Sequence, residues 1–349
     1  MMNEIEQIEE LYRQYWRYSD DDGEKQSRCG SLRRWKKHLE VTGRFHPEKR
    51  TRILEIHQFQ SIHILKEDQS MEYLTLNNGI KCPVVGIGTY MLSPEEARNS
   101  VREALRMGYS LVDTANAYVN EKAVGMGIKE SGIARKDVFL STKLWPSEYE
   151  NENAVDETLQ RLGVDYADLL YIHQPAGNWL AGYHQLEKAY KEGKVRSIGI
   201  SNFEGKYLDE LEGKWEIAPQ FIQVEAHPYY TQKELRKTLD KYGIRLMSWY
   251  PLGHGDKSLI NEDIFEKLGK KYGKSSAQVI LRWHTQMGFA VIPGSKNVSH
   301  IKDNLDILDF RLTEDEMEEI AKLDKGMRYY HRTDEQLVQF AGWRPSFEK

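Results

Sequence analysis

Short apolar segments alternate with amphipathic helical segments from Val84 onward, and this alternation limits the possible folds more than any other feature of the chain. Eight strands are predicted, at residues 84–88, 110–113, 138–142, 168–172, 195–200, 220–224, 244–248 and 289–292. The helices predicted between and after them cover 94–107, 120–131, 151–162, 180–191, 204–212, 231–241, 261–272, 275–287, 297–305 and 313–323. Because right-handed crossovers between parallel strands leave few arrangements, the pattern predicts an α/β fold of the (β/α)8 TIM-barrel type.

An open, doubly wound α/β sheet is the alternative arrangement. Its dinucleotide-binding fingerprint needs a third glycine after the first strand, and the strand end Gly86-Ile87-Gly88 is not followed by one. This difference favours the barrel. Before the first barrel strand, Asn77-Asn78-Gly79 separates two short apolar segments and predicts an N-terminal β-hairpin cap.

Residues 1–70 differ in composition from the rest of the chain. We separate them, as an N-terminal extension, from a barrel domain at 71–349 that ends in a C-terminal substrate loop. An apolar stripe predicts one helix near the start, formed by Ile5, Ile8, Leu11, Tyr12 and Tyr15. The charged segment 19–52 has little pattern, so we expect it to be solvated and poorly packed. Basic clusters such as residues 33–37 leave open a role in tethering RNA or another protein. A further alternative is that residues 1–70 are an upstream extension and that the natural start is Met71.

The net charge of −5 and the presence of two cysteines, Cys29 and Cys82, argue against several classes of protein. An acidic chain is not typical of proteins that bind nucleic acid or acidic membranes. Two distant cysteines cannot build a disulfide framework or a zinc knuckle, so no metal site is expected. The apolar runs are shorter than the roughly 18 residues of a membrane span. We expect a cytoplasmic protein that acts as a monomer on a small molecule.

Four reactive side chains stand at or just after the ends of three predicted strands: Asp113 and Tyr118, then Lys143, then His173. The carboxyl ends of parallel barrel strands face the same rim, so these side chains are expected to form one site. Asp113 would hold Lys143 by a charge-assisted hydrogen bond, and Lys143 would lower the pKa of Tyr118 by stabilising its phenolate form. With His173 as a hydrogen-bond donor, the four residues together are suited to protonating a carbonyl oxygen. Each residue taken alone is more often a packed wall residue than a catalytic one, so the prediction depends on the combination.

The stretches that hold these residues are VDTANAY at 112–118, STKLW at 141–145 and YIHQP at 171–175, and they resemble the catalytic motifs of the aldo-keto reductase family. The likeness runs from about Met71 to the C-terminus. It implies that Tyr118 is the general acid, that Lys143 and Asp113 tune it, and that His173 orients a substrate carbonyl. The sequence HQP stands where animal members commonly have HWP. In this respect the chain is similar to the bacterial branch that includes diketogluconate and methylglyoxal reductases.

This resemblance implies an NADP(H)-dependent oxidoreductase that reduces small aldehydes, dicarbonyls or keto-sugars. A non-catalytic nucleotide sensor or regulatory subunit on the same barrel is the alternative. The residues implied to bind the nicotinamide are Ser201, Asn202 and Gln223, with Trp249 stacked on its ring; those implied for the pyrophosphate are Leu252 and Gly253, and those for the adenosine end are Ser295, Lys296, Asn297 and Asn304. Tyr90, Trp145, His173 and Trp343 are expected to line the substrate pocket.

Cofactor choice is where the chain departs most from the family it resembles. Members that select NADPH present a lysine after the proline of the last strand end and an arginine six residues later, and those positions here are Gly294 and His300. Glycine supplies no charge, and histidine is largely neutral at pH 7. Lys296 is then the fixed cation nearest to the 2′-phosphate. We therefore expect NADPH to be preferred modestly, with NADH possible.

Overall fold

The computed structural model describes residues 71–253 and 256–348, and the described chain begins with a β-hairpin. Strands β1 (Tyr73–Thr75) and β2 (Lys81–Pro83) run antiparallel, with Leu74 opposite Cys82. Gly79 has a φ of 85°, a left-handed conformation that the predicted Asn-Gly turn uses. The predicted hairpin is therefore confirmed. The helix predicted near the start of the chain lies outside the described residues.

Within the described ranges, eight parallel strands pair in sequence order: β3 (Gly86–Gly88), β4 (Leu111–Asp113), β5 (Phe139–Leu144), β6 (Leu169–Ile172), β7 (Ile198–Ser201), β8 (Phe221–Glu225), β9 (Arg245–Trp249) and β10 (Phe289–Val291). Parallel bridges from Val85 to Val291 and from Gly88 to Gly294 bring the last strand back to the first. A Cβ on Gly88 would lie 2.6 Å from the carbonyl oxygen of Ile292, so this close approach depends on glycine. The (β/α)8 prediction is confirmed, and the open sheet is excluded.

At least one helix follows each barrel strand. These helices are α1 (Pro94–Met107), α2 (Glu121–Ser131), α3 (Ala154–Leu162), α4 (Trp179–Lys191), α5 (Lys206–Leu211), α6 (Lys233–Tyr242), α7 (Lys257–Ile260), α8 (Asp263–Tyr272), α9 (Ser276–Gln286), α10 (Val298–Leu305), α11 (Glu314–Ala321) and α12 (Asp334–Gly342). The sequence pattern predicts all of them except α7 and α12. Helix α7 is a single turn, and α12 has little apolar periodicity, with only Leu337 buried. None of the described helices is both long and apolar enough to cross a membrane.

The residues that point into the barrel change from apolar to polar along the strands. On β5, Phe139 is followed by Ser141 and then by Lys143, and residues two apart on a strand point to the same side. Other strands repeat this order, as in Leu111 then Asp113, Leu169 then Tyr171 and His173, and Phe221 then Gln223. Leu76 and Cys82 of the hairpin pack with the apolar set. Apolar side chains therefore fill the amino-terminal end of the barrel, and the polar groups gather at the carboxyl end.

Candidate active site

A buried ion pair forms the base of the site. Nζ of Lys143 donates to Oδ2 of Asp113 at 2.6 Å and to the carbonyl oxygen of Thr114 at 2.7 Å. The other carboxylate oxygen accepts hydrogen bonds from Ser141 Oγ at 2.7 Å and from Gln223 Nε2 at 3.1 Å. Buried charges are tolerated when they are paired and their remaining hydrogen-bonding capacity is satisfied, and this pair meets both conditions. The contact predicted between Asp113 and Lys143 is present.

Tyr118 lies above this pair, on the short 3-10 turn Asn116–Tyr118 that follows β4. Nζ of Lys143 is 5.1 Å from the centroid of its ring. Burial raises the pKa of Tyr118 well above 10, and the negative charge of Asp113 raises it further. Burial and the Asp113 charge therefore set the direction of this shift, and the stabilisation of a Tyr118 phenolate by Lys143 stays a prediction. The phenol therefore keeps its proton at neutral pH.

His173 stands at the edge of the same ring, with the two ring centroids 5.7 Å apart. The imidazole is 8% exposed, and its Nδ1 has no hydrogen-bond partner among the described residues. Burial, together with the positive charge of Lys143, holds the pKa of His173 well below its usual 6.5. The imidazole is therefore neutral at physiological pH. It can donate one N–H bond without competing with Tyr118 as a proton source.

The residues predicted to hold the nicotinamide lie beside the catalytic four. Asn202 adopts a left-handed φ of 64° at the end of β7. Its Nδ2 donates to the carbonyl oxygen of His173 at 3.3 Å and to Ser201 Oγ at 3.2 Å, and its Oδ1 accepts from Nε1 of Trp249 at 3.1 Å. Gln223 reaches Asp113, as described above. Ser201, Asn202, Gln223 and Trp249 thus form one hydrogen-bonded surface with the catalytic residues.

The residues predicted for the pyrophosphate and the adenosine lie further along the rim. Leu252 and Gly253 follow β9, and Gly253 has a φ of 75°. Ser295, Lys296 and Asn297 form the loop after β10, and Asn304 lies buried on α10. In the described ranges no hydrogen bond joins these residues to the catalytic four. Across the same ranges no three His, Cys, Asp or Glu side chains are grouped as a metal site.

The predicted substrate walls are aromatic and partly open to solvent. Trp145 packs edge-on against His173, with ring centroids 5.1 Å apart, and against Trp343 at 5.0 Å. Tyr90 packs against Tyr118 at 5.1 Å. Tyr90 is 54% exposed and Trp343 is 48% exposed, whereas Trp145 is 6% exposed. Tyr90 and Trp145 therefore lie against the rings of Tyr118 and His173, and Trp343 contacts Trp145.

Residues 84–325 match the sequence profile of the Aldo/keto reductase family. The chain belongs to this family. The reductase is 42% identical over 267 residues to the glyoxal reductase of Bacillus subtilis (strain 168), a match that covers 75% of this chain and 96% of that protein. It is 36% identical over 259 residues to the methylglyoxal reductase DkgA of Escherichia coli (strain K12), covering 73% and 94% of the two chains.

A solved structure of similar fold is the Bombyx mori aldo-keto reductase in complex with NADP. It is 31% identical to this reductase, with a TM-score of 0.72 over 76% of this chain and 97% of that one. Both the family and the fold expected from the sequence are therefore confirmed. The reductase is an oxidoreductase of a family that acts on carbonyl compounds.

Several residues of the site have no role in the prediction from sequence. Ser141 stands two residues before Lys143 on β5, so strand alternation places both on one face and could have identified it. Phe340 packs against Trp145 at 5.3 Å from α12, which the sequence pattern does not predict. Arg332 also approaches the site from the C-terminal segment, and it lies in no recognisable motif.

Proposed function

We propose that this reductase reduces the carbonyl group of small aldehydes, dicarbonyls or keto-sugars to an alcohol, with NADPH as the reductant and Tyr118 as the proton donor. One observation carries the proposal: the protonated phenol of Tyr118 lies above the buried Lys143–Asp113 pair, with the neutral imidazole of His173 at its edge. Relatives named as glyoxal reductase and methylglyoxal reductase support small dicarbonyls as substrates.

The proton is held until negative charge develops on the substrate. Tyr118 is a weak acid because burial and Asp113 raise its pKa. As its proton moves to the carbonyl oxygen, a phenolate forms near Nζ of Lys143, and a fixed cation in a water-poor site stabilises that charge. Asp113 holds the Lys143 ammonium in place through the 2.6 Å contact.

His173 orients the carbonyl group. A neutral imidazole carries one N–H donor, and that donor can bind the carbonyl oxygen beside the phenol. Because its pKa is lowered well below 6.5, His173 has no proton to give at neutral pH. Its task in this proposal is positioning and polarisation of the carbonyl, which leaves proton transfer to Tyr118.

The polar surface around Asn202 suits a nicotinamide cofactor. Amide and hydroxyl groups of Asn202, Gln223 and Ser201 match the donors and acceptors of a carboxamide, and the partly exposed indole of Trp249 offers a face for stacking. Gly253 adds a backbone position without a side chain, where a Cβ would come within 3.2 Å of Tyr329 and Leu259. When bound, the reduced nicotinamide supplies the hydride to the carbonyl carbon.

The test is steady-state consumption of NADPH and of NADH by the full chain with a panel of aldehydes, dicarbonyls and keto-acids. We expect oxidation of the cofactor that matches alcohol formation one to one. Binding of the nucleotide without oxidation by any carbonyl in the panel would overturn the proposal and support the non-catalytic nucleotide sensor instead.

A further inference from the structure

A guanidinium lies at the edge of the candidate active site and has no part in the reaction proposed above. Nη1 of Arg332 donates to Oε1 of Gln174 at 3.3 Å and to the carbonyl oxygen of Asn202 at 3.1 Å. Gln174 directly follows His173, and the Asn202 amide donates to the carbonyl oxygen of His173. Arg332 is therefore hydrogen-bonded to Asn202 and to the residue that follows His173.

Both hydrogen-bond acceptors of Arg332 are neutral oxygens, and in the described part of the chain no carboxylate forms a salt bridge with it. Two carboxylates, Glu204 and Asp334, are close enough to act on it electrostatically. Each of them is bound elsewhere. Glu204 pairs with Arg328 at 3.0 Å, and Asp334 accepts hydrogen bonds from Lys206 and Tyr207. Among the described residues, the positive charge of Arg332 thus has no counter-ion of its own.

Packing as well as hydrogen bonding holds the Arg332 side chain. Its guanidinium carbon is 5.4 Å from the ring centroid of Tyr207, and the side chain is partly buried. A guanidinium has five N–H donors in a planar fork, and the two hydrogen bonds to the protein both use Nη1. Gln174, directly after His173, supplies the amide oxygen that accepts one of these hydrogen bonds.

We propose that Arg332, oriented by Gln174, binds a carboxylate of the substrate, so that the reductase prefers aldehydes and ketones that carry a carboxylate group. This rests on the proposed function and adds the substrate class to it. A guanidinium fork matches a carboxylate in shape and binds it with paired, charge-assisted hydrogen bonds. The carboxylate is not altered in the reaction. Its binding holds the far end of the molecule while Tyr118 and His173 engage the carbonyl oxygen.

The experiment compares two substrates that differ in charge and little else. The full-length protein is assayed with para-carboxybenzaldehyde and with its neutral amide, para-formylbenzamide, each with saturating NADPH. We expect kcat/KM to favour the carboxylate by about ten- to a hundredfold, mainly through KM, the range expected for one charge-assisted contact. Succinic semialdehyde and butanal provide the same comparison on a flexible chain.

Three variants assign the preference to this pair. Arg332→Gln should reduce the ratio of the two kcat/KM values to near one while sparing the neutral amide, and Arg332→Lys should keep part of it because lysine has the charge without the fork. Gln174→Glu should also remove the preference, since a carboxylate at that position would neutralise Arg332. The matched control is Arg344→Gln, an exposed arginine of the same C-terminal segment that donates to the Ala341 carbonyl oxygen. It should leave the ratio unchanged.

The outcomes separate this inference from the proposed function. Equal kcat/KM for the carboxylate and the amide in the unmutated protein would overturn the carboxylate subsite and leave carbonyl reduction intact. An equal loss of kcat/KM for both substrates in Arg332→Gln would also overturn the subsite, because it would make Arg332 a residue of the pocket wall. A higher Kd for NADPH in that variant would overturn it too, because it would assign Arg332 to the cofactor site. Failure to reduce either member of both pairs would instead count against the proposed function.

Discussion

Nζ of Lys143 lies 2.6 Å from Oδ2 of Asp113, and both side chains are almost completely removed from solvent. Burial lowers the pKa of Lys143, and the Asp113 charge opposes that shift. Ser141 and Gln223 occupy the second carboxylate oxygen, so the carboxylate cannot turn away from the lysine without losing two hydrogen bonds. Asp113 is therefore the group that keeps a cation beneath Tyr118.

Asp113→Asn should be costly because it leaves the Lys143 charge buried without its partner. Removing one member of a buried pair costs about 3–5 kcal/mol, and we expect the free energy of unfolding in urea to fall by about that amount. The pKa of Lys143 should fall further, since burial is then less opposed. The double variant Asp113→Asn/Lys143→Met leaves no unpaired charge, so it should recover much of the stability while remaining inactive. Equal stability of the single and double variants would contradict the ion-pair account.

Tyr118→Phe should abolish carbonyl reduction and spare cofactor binding, because only the phenol oxygen is lost. Loss of a general acid lowers turnover by about 10²- to 10⁴-fold. The measurements are kcat with the best substrate of the panel and the Kd of NADPH from fluorescence. Tyr90→Phe, on the neighbouring ring 5.1 Å away, is the matched control and should keep most of the activity. If Tyr118→Phe retained most of its activity, Tyr118 would be a wall residue.

The sequence predicts the barrel well because strand alternation and helical periodicity are local signals. Asp113, Lys143 and His173 stand at strand ends, and topology alone brings such ends together. The electrostatics of Tyr118 could not be predicted in the same way. Its pKa depends on how much the phenol is buried and on the balance between Asp113 and Lys143, and neither can be read from residue spacing.

The C-terminal segment shows the same limit. Helix α12 packs few apolar side chains, so the periodicity that identifies the other helices is weak there. Arg332 reaches Asn202 across 130 positions of sequence, and no local pattern indicates such a contact. The contacts of Phe340 with Trp145 and of Arg332 with Asn202 are long-range, so only the three-dimensional structure shows them.

The stability of the fold should fall on mild acidification because of His284. This residue is buried on α9, and burial lowers its pKa to about 4 from an ordinary 6.5. The unfolded chain takes up a proton near pH 6.5 and the folded protein only near 4, so the stabilisation is complete above pH 6.5 and is lost as the pH falls. Between about pH 6.5 and about pH 5 the expected loss is about 2 kcal/mol from this residue.

Urea unfolding of the unmutated protein and of His284→Gln at both pH values checks this contribution. The variant cannot take up the proton, so its free energy of unfolding should change less with pH. The pKa of His173 is also lowered, and this residue is present in both proteins. The contribution of His284 is therefore the difference between the two proteins in how their free energy of unfolding changes with pH. Parallel pH dependences would show that His284 does not contribute.

A chain that begins at Met71 should fold and keep its activity. It contains the hairpin whose Leu76 and Cys82 close the amino-terminal end of the barrel, and it contains all eight described barrel strands. The Tm and kcat/KM of this shortened chain are to be compared with those of the full chain, and we expect similar values. Insolubility, or a large fall in Tm, would show that residues 1–70 stabilise the barrel.

Cofactor preference should depend on Lys296, but less strongly than in a protein where this cation is free. Nζ of Lys296 donates to Oε1 of Glu96 at 2.9 Å, and that hydrogen bond, together with those from Ser93, lowers the pKa of Glu96 to about 2. The carboxylate is therefore ionised at neutral pH and competes with a 2′-phosphate for the same ammonium. We expect NADPH to be preferred to NADH by about tenfold, the low end of the range for one charge-assisted contact.

Two substitutions test this competition from opposite sides. Lys296→Ala should raise the KM for NADPH, spare that for NADH, and remove most of the preference. Glu96→Gln should increase the preference, because the amide releases the lysine while still serving in the capping box with Ser93 at the start of α1. Glu95→Gln removes an exposed carboxylate of the same first turn, without a hydrogen bond to Lys296, and controls for net charge. If Glu95→Gln and Glu96→Gln changed the preference equally, the effect would come from net charge and not from the Lys296 contact. If the unmutated protein used NADH as efficiently as NADPH or better, Lys296 would not belong to the cofactor site.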